Sequence, residues 1–370
     1  MRIALIVPGG VDRSGEYRVI PALIALIRRL VLHHQVEVIA LHQEPDPGEW
    51  ELAGARIHNV GGRQCRLRAV RLIRRMHHSS KFALVHAIWS GACGQVAVAV
   101  ARLLRLPSLI HVAGGELVAI ADIGYGGRLR WRGRASEAFV LPRASALSAA
   151  SAPIIEIIAS LGLAAERVPL GVDRDSWPAR EPQRRSGYAP ARLLQVASLN
   201  RVKDQVTLLH ALALLAQGGA SFEADIVGED TLHGEIHALA AELYLTSRVR
   251  FHGFLTHRQL RPLVEAANLM VVSSRHETGP VAVLEAAMAG VPTVGTCVGH
   301  IAEWAPHAAL SVPVRDAAAL AGAIGRMLAD EELRLAIARD AQQRALAEDA
   351  DHTALRFREL YARLSQRCRR

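Results

Sequence analysis

Two glutamates, Glu277 and Glu285, stand eight positions apart in the otherwise apolar stretch 273–295, with Gly279 and Pro280 between them. A carboxylate inside a buried apolar helix costs about several kcal/mol unless it finds a partner, so Glu285 requires one. The run 268–274 reads as a strand and 275–279 as a loop. Pro280 suits the first helical position and Gly290 the stop before Pro292. Glu277 then lies in the loop and Glu285 about one and a half turns into the helix, its side chain directed back toward the N-terminus. Both carboxylates can point at one strand-end crevice, where they would accept charge-assisted hydrogen bonds from the vicinal hydroxyls of a ribose or hexose. The turn running from Gly279 through Pro280 and Val281 to Ala282 faces an anion with its N–H groups.

Three other strand-end loops carry residues capable of chemistry. In "VASLNRVKDQ" a strand and a tight loop lead into a helix with Arg201 and Lys203 at its start. Two cations beside the N–H groups of a helix N-terminus make an anion site, and phosphate is the natural guest. In "PGGVDRSG", Gly9 and Gly10 follow the first strand and allow close backbone approach to a ligand. The segment is not G-x-G-x-x-G, which disfavours a nicotinamide or flavin enzyme. In "HVAGGELV", Gly114 and Gly115 leave room for a ligand, Glu116 can accept from a hydroxylated acceptor, and His111 lies within the strand pattern, as an interior residue or an acceptor contact.

The elements that must position these loops are legible as short β-branched runs alternating with longer helical patterns, the signature of βαβ units and parallel sheets. The alternation restarts at 191, after the polar, Pro- and Arg-rich segment 171–190. This predicts an α/β protein of two open, Rossmann-like parallel-sheet domains. The expected boundaries are 1–170, a linker 171–190, 191–350 and a C-terminal helix 351–370. At 370 residues and 51% apolar composition the chain is long enough for two cores. Four scattered cysteines without C-x-x-C spacing argue against a disulfide framework or a zinc site and fit a reducing, cytoplasmic setting. No apolar run reaches the roughly 20 residues needed to cross a bilayer, and the N-terminal apolar stretch is too short for a signal peptide. The formal net charge of +9 falls almost wholly in the first half, but no nucleic-acid-reading motif accompanies it.

In the second half, "ETGPVAVLEAAMAGVPTVGTCVGHIAE" meets an E-x7-E pattern, supported by "VPLGVD", "RVRFHGFL" and the Lys-Asp of "NRVKDQ". With these motifs the chain resembles glycosyltransferase family 4, retaining enzymes of the GT-B fold. The resemblance implies two domains facing across a cleft, an acceptor-side first domain and a second that binds a nucleotide sugar, with the last helix returning to the first. It implies that Glu277 contacts the transferred sugar, Glu285 the nucleoside ribose and Lys203 the donor diphosphate. Where family members commonly carry an arginine, this chain has Ser198, and Arg201 stands nearby as a substitute. Transfer would proceed on the front face of the sugar, the leaving diphosphate assisting the incoming hydroxyl, with no cofactor and no metal. The acceptor would be a glycan or lipid-linked glycan in polysaccharide assembly. A catalytically silent GT-B scaffold is the alternative.

The segment 63–81, "RQCRLRAVRLIRRMHHSSK", holds seven Lys and Arg and no acid. Read as a helix, it places Leu67, Val70, Ile73 and Met76 in an apolar stripe with arginines around it. That face is either simply solvated or lies on an anionic membrane surface, peripheral on the inner face of the cell membrane.

Overall fold

The computed structural model describes residues 1–185 and 189–367. Residues 186–188 of the expected linker, and 368–370 of the expected C-terminal helix, lie outside the described residues. In chain order the first elements are β1 (Arg2–Val7), α1 (Pro21–Leu30), β2 (Gln35–Ala40), β3 (Gly48–Leu52), β4 (Ala55–Asn59) and α2 (Cys65–Ser79). Next come β5 (Leu84–Ile88), α3 (Ala92–Leu104), β6 (Ser108–Val112), α4 (Trp131–Val140), β7 (Ala146–Ala149), α5 (Ala152–Ser160) and β8 (Glu166–Arg167). The second series is β9 (Ala191–Val196), α6 (Gln205–Gln217), β10 (Phe222–Val227), α7 (Glu235–Glu242), β11 (Val249–Gly253), α8 (His257–Ala266), β12 (Leu269–Val272) and α9 (Val281–Met288). It closes with β13 (Thr293–Thr296), α10 (Gly299–Trp304), β14 (Leu310–Val312), α11 (Ala317–Ala329), α12 (Glu331–Ala347) and α13 (Ala350–Arg367).

The chain forms two compact units, one of residues 1–173 with 348 onward, the other of 174–347. The first unit holds a sheet ordered β3-β4-β2-β1-β5-β6-β7-β8, parallel except for the antiparallel edge pair β3–β4. The second holds the parallel sheet β11-β10-β9-β12-β13-β14. Both follow the doubly wound pattern that the alternation of strands and helices predicts. Strand order reverses between β1 and β5 in the first sheet and between β9 and β12 in the second. In open α/β sheets such a reversal leaves a crevice beyond the strands' carboxyl ends.

The central strands are apolar on both faces, as helix-covered strands must be. In the first unit one core layer gathers Ala4, Ile6 and Ile39 under α2 and α3, and the other gathers Ile3, Leu5 and Val38 under α1 and α13. Most of 174–185 packs within the second unit rather than standing free. Trp177 is buried, the Arg180 N–H donates to the Met288 carbonyl (2.9 Å), and Arg334 donates to the carbonyl of Gln183 (2.5 Å). Where the chain leaves the first unit its two passages run side by side. The Gly171 N–H donates to Thr353 Oγ1 (2.9 Å) and the Ala350 N–H to the Val172 carbonyl (3.0 Å).

The stripe expected on α2 is shifted. Its buried residues are Cys65, Ala69, Ile73 and His77, while Leu67 is 47% exposed. Strict three-residue spacing turns by 60° per step on a helix of 3.6 residues per turn, so Leu67 and Met76 fall on opposite sides.

Candidate functional site

In the second unit, β9 and β12 are parallel neighbours, with Met270 beside Leu194, so the loops that follow them flank the point of reversal. Those loops are tied together. The Arg275 N–H donates to the Val202 carbonyl (2.7 Å) and Ser273 Oγ to the Lys203 carbonyl (2.8 Å), and Gln195 Nε2 donates to Ser273 Oγ (2.9 Å). This frame brings Lys203 Nζ to 2.5 Å from Glu277 Oε1, which also accepts from Ser274 Oγ at 2.7 Å. The lysine side chain is 26% exposed and the glutamate 11%, so the pair is sheltered yet reachable. Gly299 lies against this loop in a left-handed conformation (φ +49°), and a Cβ there would stand 3.1 Å from Glu277 Cβ.

Glu285 finds its partner inside the unit. Only 4% exposed, it has Oε1 3.1 Å from Nε2 of His257, the first residue of α8, whose ring packs edge-on against Trp177 at 5.7 Å. Thr256 and Gln259 form a reciprocal capping box that fixes the start of that helix, and so holds the histidine in place. His257 escapes a motif search because it comes from another βα unit, 28 residues before the glutamate it meets.

The two helix N-termini differ. On α6, Asp204 is the cap residue, accepting from the Thr207 N–H (3.3 Å) and Thr207 Oγ1 (2.8 Å), so one of the N–H groups expected to be free beside Arg201 and Lys203 is taken by a carboxylate. On α9 the cap position is Pro280 and no side chain caps it. The N–H groups opening α9, next to Gly279, Pro280 and Val281, meet no side-chain cap and can face an anion. Arg201 is not brought to the Lys203–Glu277 pair. Its guanidinium grips both carboxylate oxygens of Glu235 at the start of α7 (3.0 and 2.7 Å), an exposed pair. Ser198 contributes its carbonyl, which accepts from Gln205 Nε2 (3.2 Å). Gly228 allows that loop to come close, since a Cβ there would lie 2.6 Å from the Ser198 nitrogen.

Among the first-unit residues, His111 takes the interior of its two expected places, while the glycine pairs depart from expectation. His111 has no exposed surface. Its Nδ1 lies 3.0 Å from Ser148 Oγ and its ring meets Phe357 of α13 edge-on at 5.4 Å. Burial pushes its pKa down to about 3, so it is a neutral interior imidazole and cannot touch an acceptor. Beside it His86, also fully buried, has Nδ1 2.7 Å from the Tyr361 hydroxyl, and burial holds its pKa well below the ordinary histidine value. The room expected at the two glycine pairs is taken by protein. A Cβ on Gly114 would meet Trp89 Nε1 at 2.9 Å, on Gly115 the Tyr125 hydroxyl at 2.4 Å, on Gly10 the Ile20 side chain at 2.5 Å, and on Gly9 Gln43 Oε1 at 3.2 Å. Glu116 is a clamp, its carboxylate accepting from the Ser90 N–H (2.9 Å) and the Gly114 N–H (2.6 Å), which joins the loops after β5 and β6.

Two family models match in tandem: "Glycosyl transferase 4-like domain" over residues 18–171 and "Glycosyl transferases group 1" over 181–344. The chain belongs to the family 4 type of GT-B glycosyltransferases. The curated relatives of this GT-B chain include glycogen synthase of Mycobacterium tuberculosis, 32% identical over 183 residues. That match covers 49% of the chain and 44% of the relative, so the chain spans less than half the relative's length. Among solved structures it is similar to sucrose-phosphate synthase from Thermosynechococcus elongatus (TM-score 0.82, 21% identity, 98% of this chain and 99% of that one). Anabaena HepE, solved in complex with UDP and glucose, is similar as well (TM-score 0.75, 18% identity, 98% and 99%). At these identities the likeness is one of fold. Among the described residues no helix is long and apolar enough to cross a membrane.

Proposed function

We propose that this protein is a retaining glycosyltransferase that moves a hexose from a nucleoside-diphosphate sugar to a hydroxyl acceptor. The setting would be polysaccharide or lipid-linked glycan assembly on the cytoplasmic side. The observation that carries this is the Lys203–Glu277 pair, held beside the uncapped start of α9 at the point where the second sheet reverses its order. In this reading Glu277 receives the sugar's hydroxyls and Glu285, oriented by His257, the nucleoside ribose. Lys203 and the N–H groups of α9 stabilise the departing diphosphate, as preorganised charges do. Neither glutamate acts as a nucleophile, and neither a resident metal nor a cofactor takes part. That HepE was solved with UDP and glucose supports a nucleotide-sugar donor. The second unit would bind the donor and the first the acceptor, with the arginine-rich helix α2 toward an anionic membrane surface.

A panel of UDP-, GDP- and ADP-sugars, read by released nucleotide, tests this. Turnover of at least one donor, lowered in Glu277→Ala, is expected. Slow hydrolysis of a donor also excludes a catalytically silent scaffold, whereas release from none of them would overturn the reading.

A further inference from the structure

In the first unit the edge hairpin β3–β4 and helix α2 enclose an open groove of about 670 Å³. Arg68, Arg71 and Arg75 line its helix side, at spacings that set them along one face of α2. The hairpin side carries Glu49, His58 and Asn59. Some arginines of this unit are held by buried carboxylates, Arg2 by Glu37 (2.9 Å) and Arg29 by Asp173 (2.8 Å). Among the described residues none of the three groove arginines has an acidic partner. Glu49, the groove's carboxylate, is already engaged, its Oε1 lying 2.9 Å from His58 Nδ1. The groove therefore presents an excess of unpaired positive charge.

Its walls are built rather than incidental. His58 spans Glu49 and the buried Glu37 (3.0 Å), which in turn accepts from Arg2. Asn59 Nδ2 donates to the carbonyls of Glu44 (3.0 Å) and Asp46 (2.5 Å), which fixes the loop before β3. The Arg68 guanidinium lies over Gly62, where a Cβ would stand 2.7 Å from Nη1, so the glycine admits the arginine to its place. Three planar, permanently charged forks converging on one groove match the oxygens of phosphate. A volume of this size holds more than the phosphate alone.

We propose that this groove binds a phosphate-bearing group carried on a larger molecule, either a lipid headgroup or a soluble phosphate ester. The proposal deepens the acceptor and membrane part of the function proposed above. It rests on first-unit residues alone, and its test needs no donor sugar, so its failure would leave the donor chemistry standing.

The full chain is titrated with inorganic pyrophosphate, in the wild type and in a Lys203→Ala background that removes the donor-site cation from the reading, and, separately, sedimented with phosphatidylglycerol or phosphatidylcholine vesicles at low salt. The variants compared are Arg68→Gln/Arg71→Gln/Arg75→Gln and a control that removes exposed charge elsewhere in the unit, Arg102→Gln/Arg105→Gln. A lost arginine–phosphate contact costs roughly tenfold in affinity, so the groove variant should weaken binding at least about tenfold while the control stays near wild type. An unchanged thermal midpoint certifies that the groove variant is folded. Loss of sedimentation with phosphatidylglycerol vesicles, with pyrophosphate competing in the wild type, assigns a lipid headgroup. Loss of pyrophosphate binding without any vesicle binding assigns a soluble phosphate ester. The proposal is overturned if the groove variant matches the control in both arms, or if the wild type saturates with neither probe.

Discussion

His111 in β6 and Glu277 after β12 occupy comparable places, near the carboxyl ends of parallel strands in two separate sheets, and both are ionisable. His111 is sealed beneath Phe357 and Tyr361 of α13, together with His86, and each histidine stays neutral. Glu277 sits where the second sheet reverses its order, paired with Lys203, and the two side chains keep 11% and 26% of their surface exposed. Residue type does not separate a structural group from a chemical one here; what covers the strand end does. A polar group enclosed by apolar rings is kept uncharged by desolvation, whereas one at an open crevice keeps its charge and its access.

Four changes would break or sharpen that contrast. The largest stability effect is expected from Phe357→Ala, which opens the lid over both histidines and should cost about 3–5 kcal/mol in urea denaturation while sparing nucleotide affinity. A loss below about 1 kcal/mol would mean that α13 is not what closes the site. Next, Lys203→Ala removes the cation from Glu277 and from the incoming diphosphate. Turnover per donor concentration should fall by roughly 1.5–3 kcal/mol in transition-state terms, with little change in the denaturation midpoint.

The third effect is of pH. With folded pKa values depressed below the ordinary 6.5, His86 and His111 refuse protons that the unfolded chain accepts. Stability is therefore full above about pH 6.5 and falls as pH drops below it toward the folded values. The slope is about 1.4 kcal/mol per pH unit per histidine. Replacing His111 by Leu should flatten part of this slope between pH 6 and 4, and an unchanged slope would contradict the burial argument. The smallest change, Tyr361→Phe, deletes the hydroxyl facing His86 and should cost about 1 kcal/mol with no effect on turnover.

How much of this is legible in the amino-acid sequence follows the range of the interactions. The buried strands announce themselves as β-branched runs, and Glu277, Glu285 and Gly290 locate loop, helix and stop within one short segment. The edge strand β3 does not, because its residues Gly48–Leu52 are half-exposed and pair antiparallel, outside the βαβ rhythm. His257 as the partner of Glu285, Asp204 as the cap of α6 and Glu235 as the partner of Arg201 depend on side-chain placement after folding. Glycine pairs read as room for a ligand are filled by Tyr125 and Ile20, since a missing Cβ signals close approach without naming what approaches.

The central claim, that the open pair of the second unit is a nucleotide-sugar site while the sealed histidines of the first unit are structural, is tested most directly by one equilibrium titration. UDP, GDP and ADP are titrated into the wild type, Lys203→Ala, Glu285→Gln and Tyr361→Phe. Saturable binding of at least one nucleotide is expected, weakened about tenfold in the first two variants and unchanged in the third. No saturable binding to any of them, or binding indifferent to both Lys203 and Glu285, would contradict it.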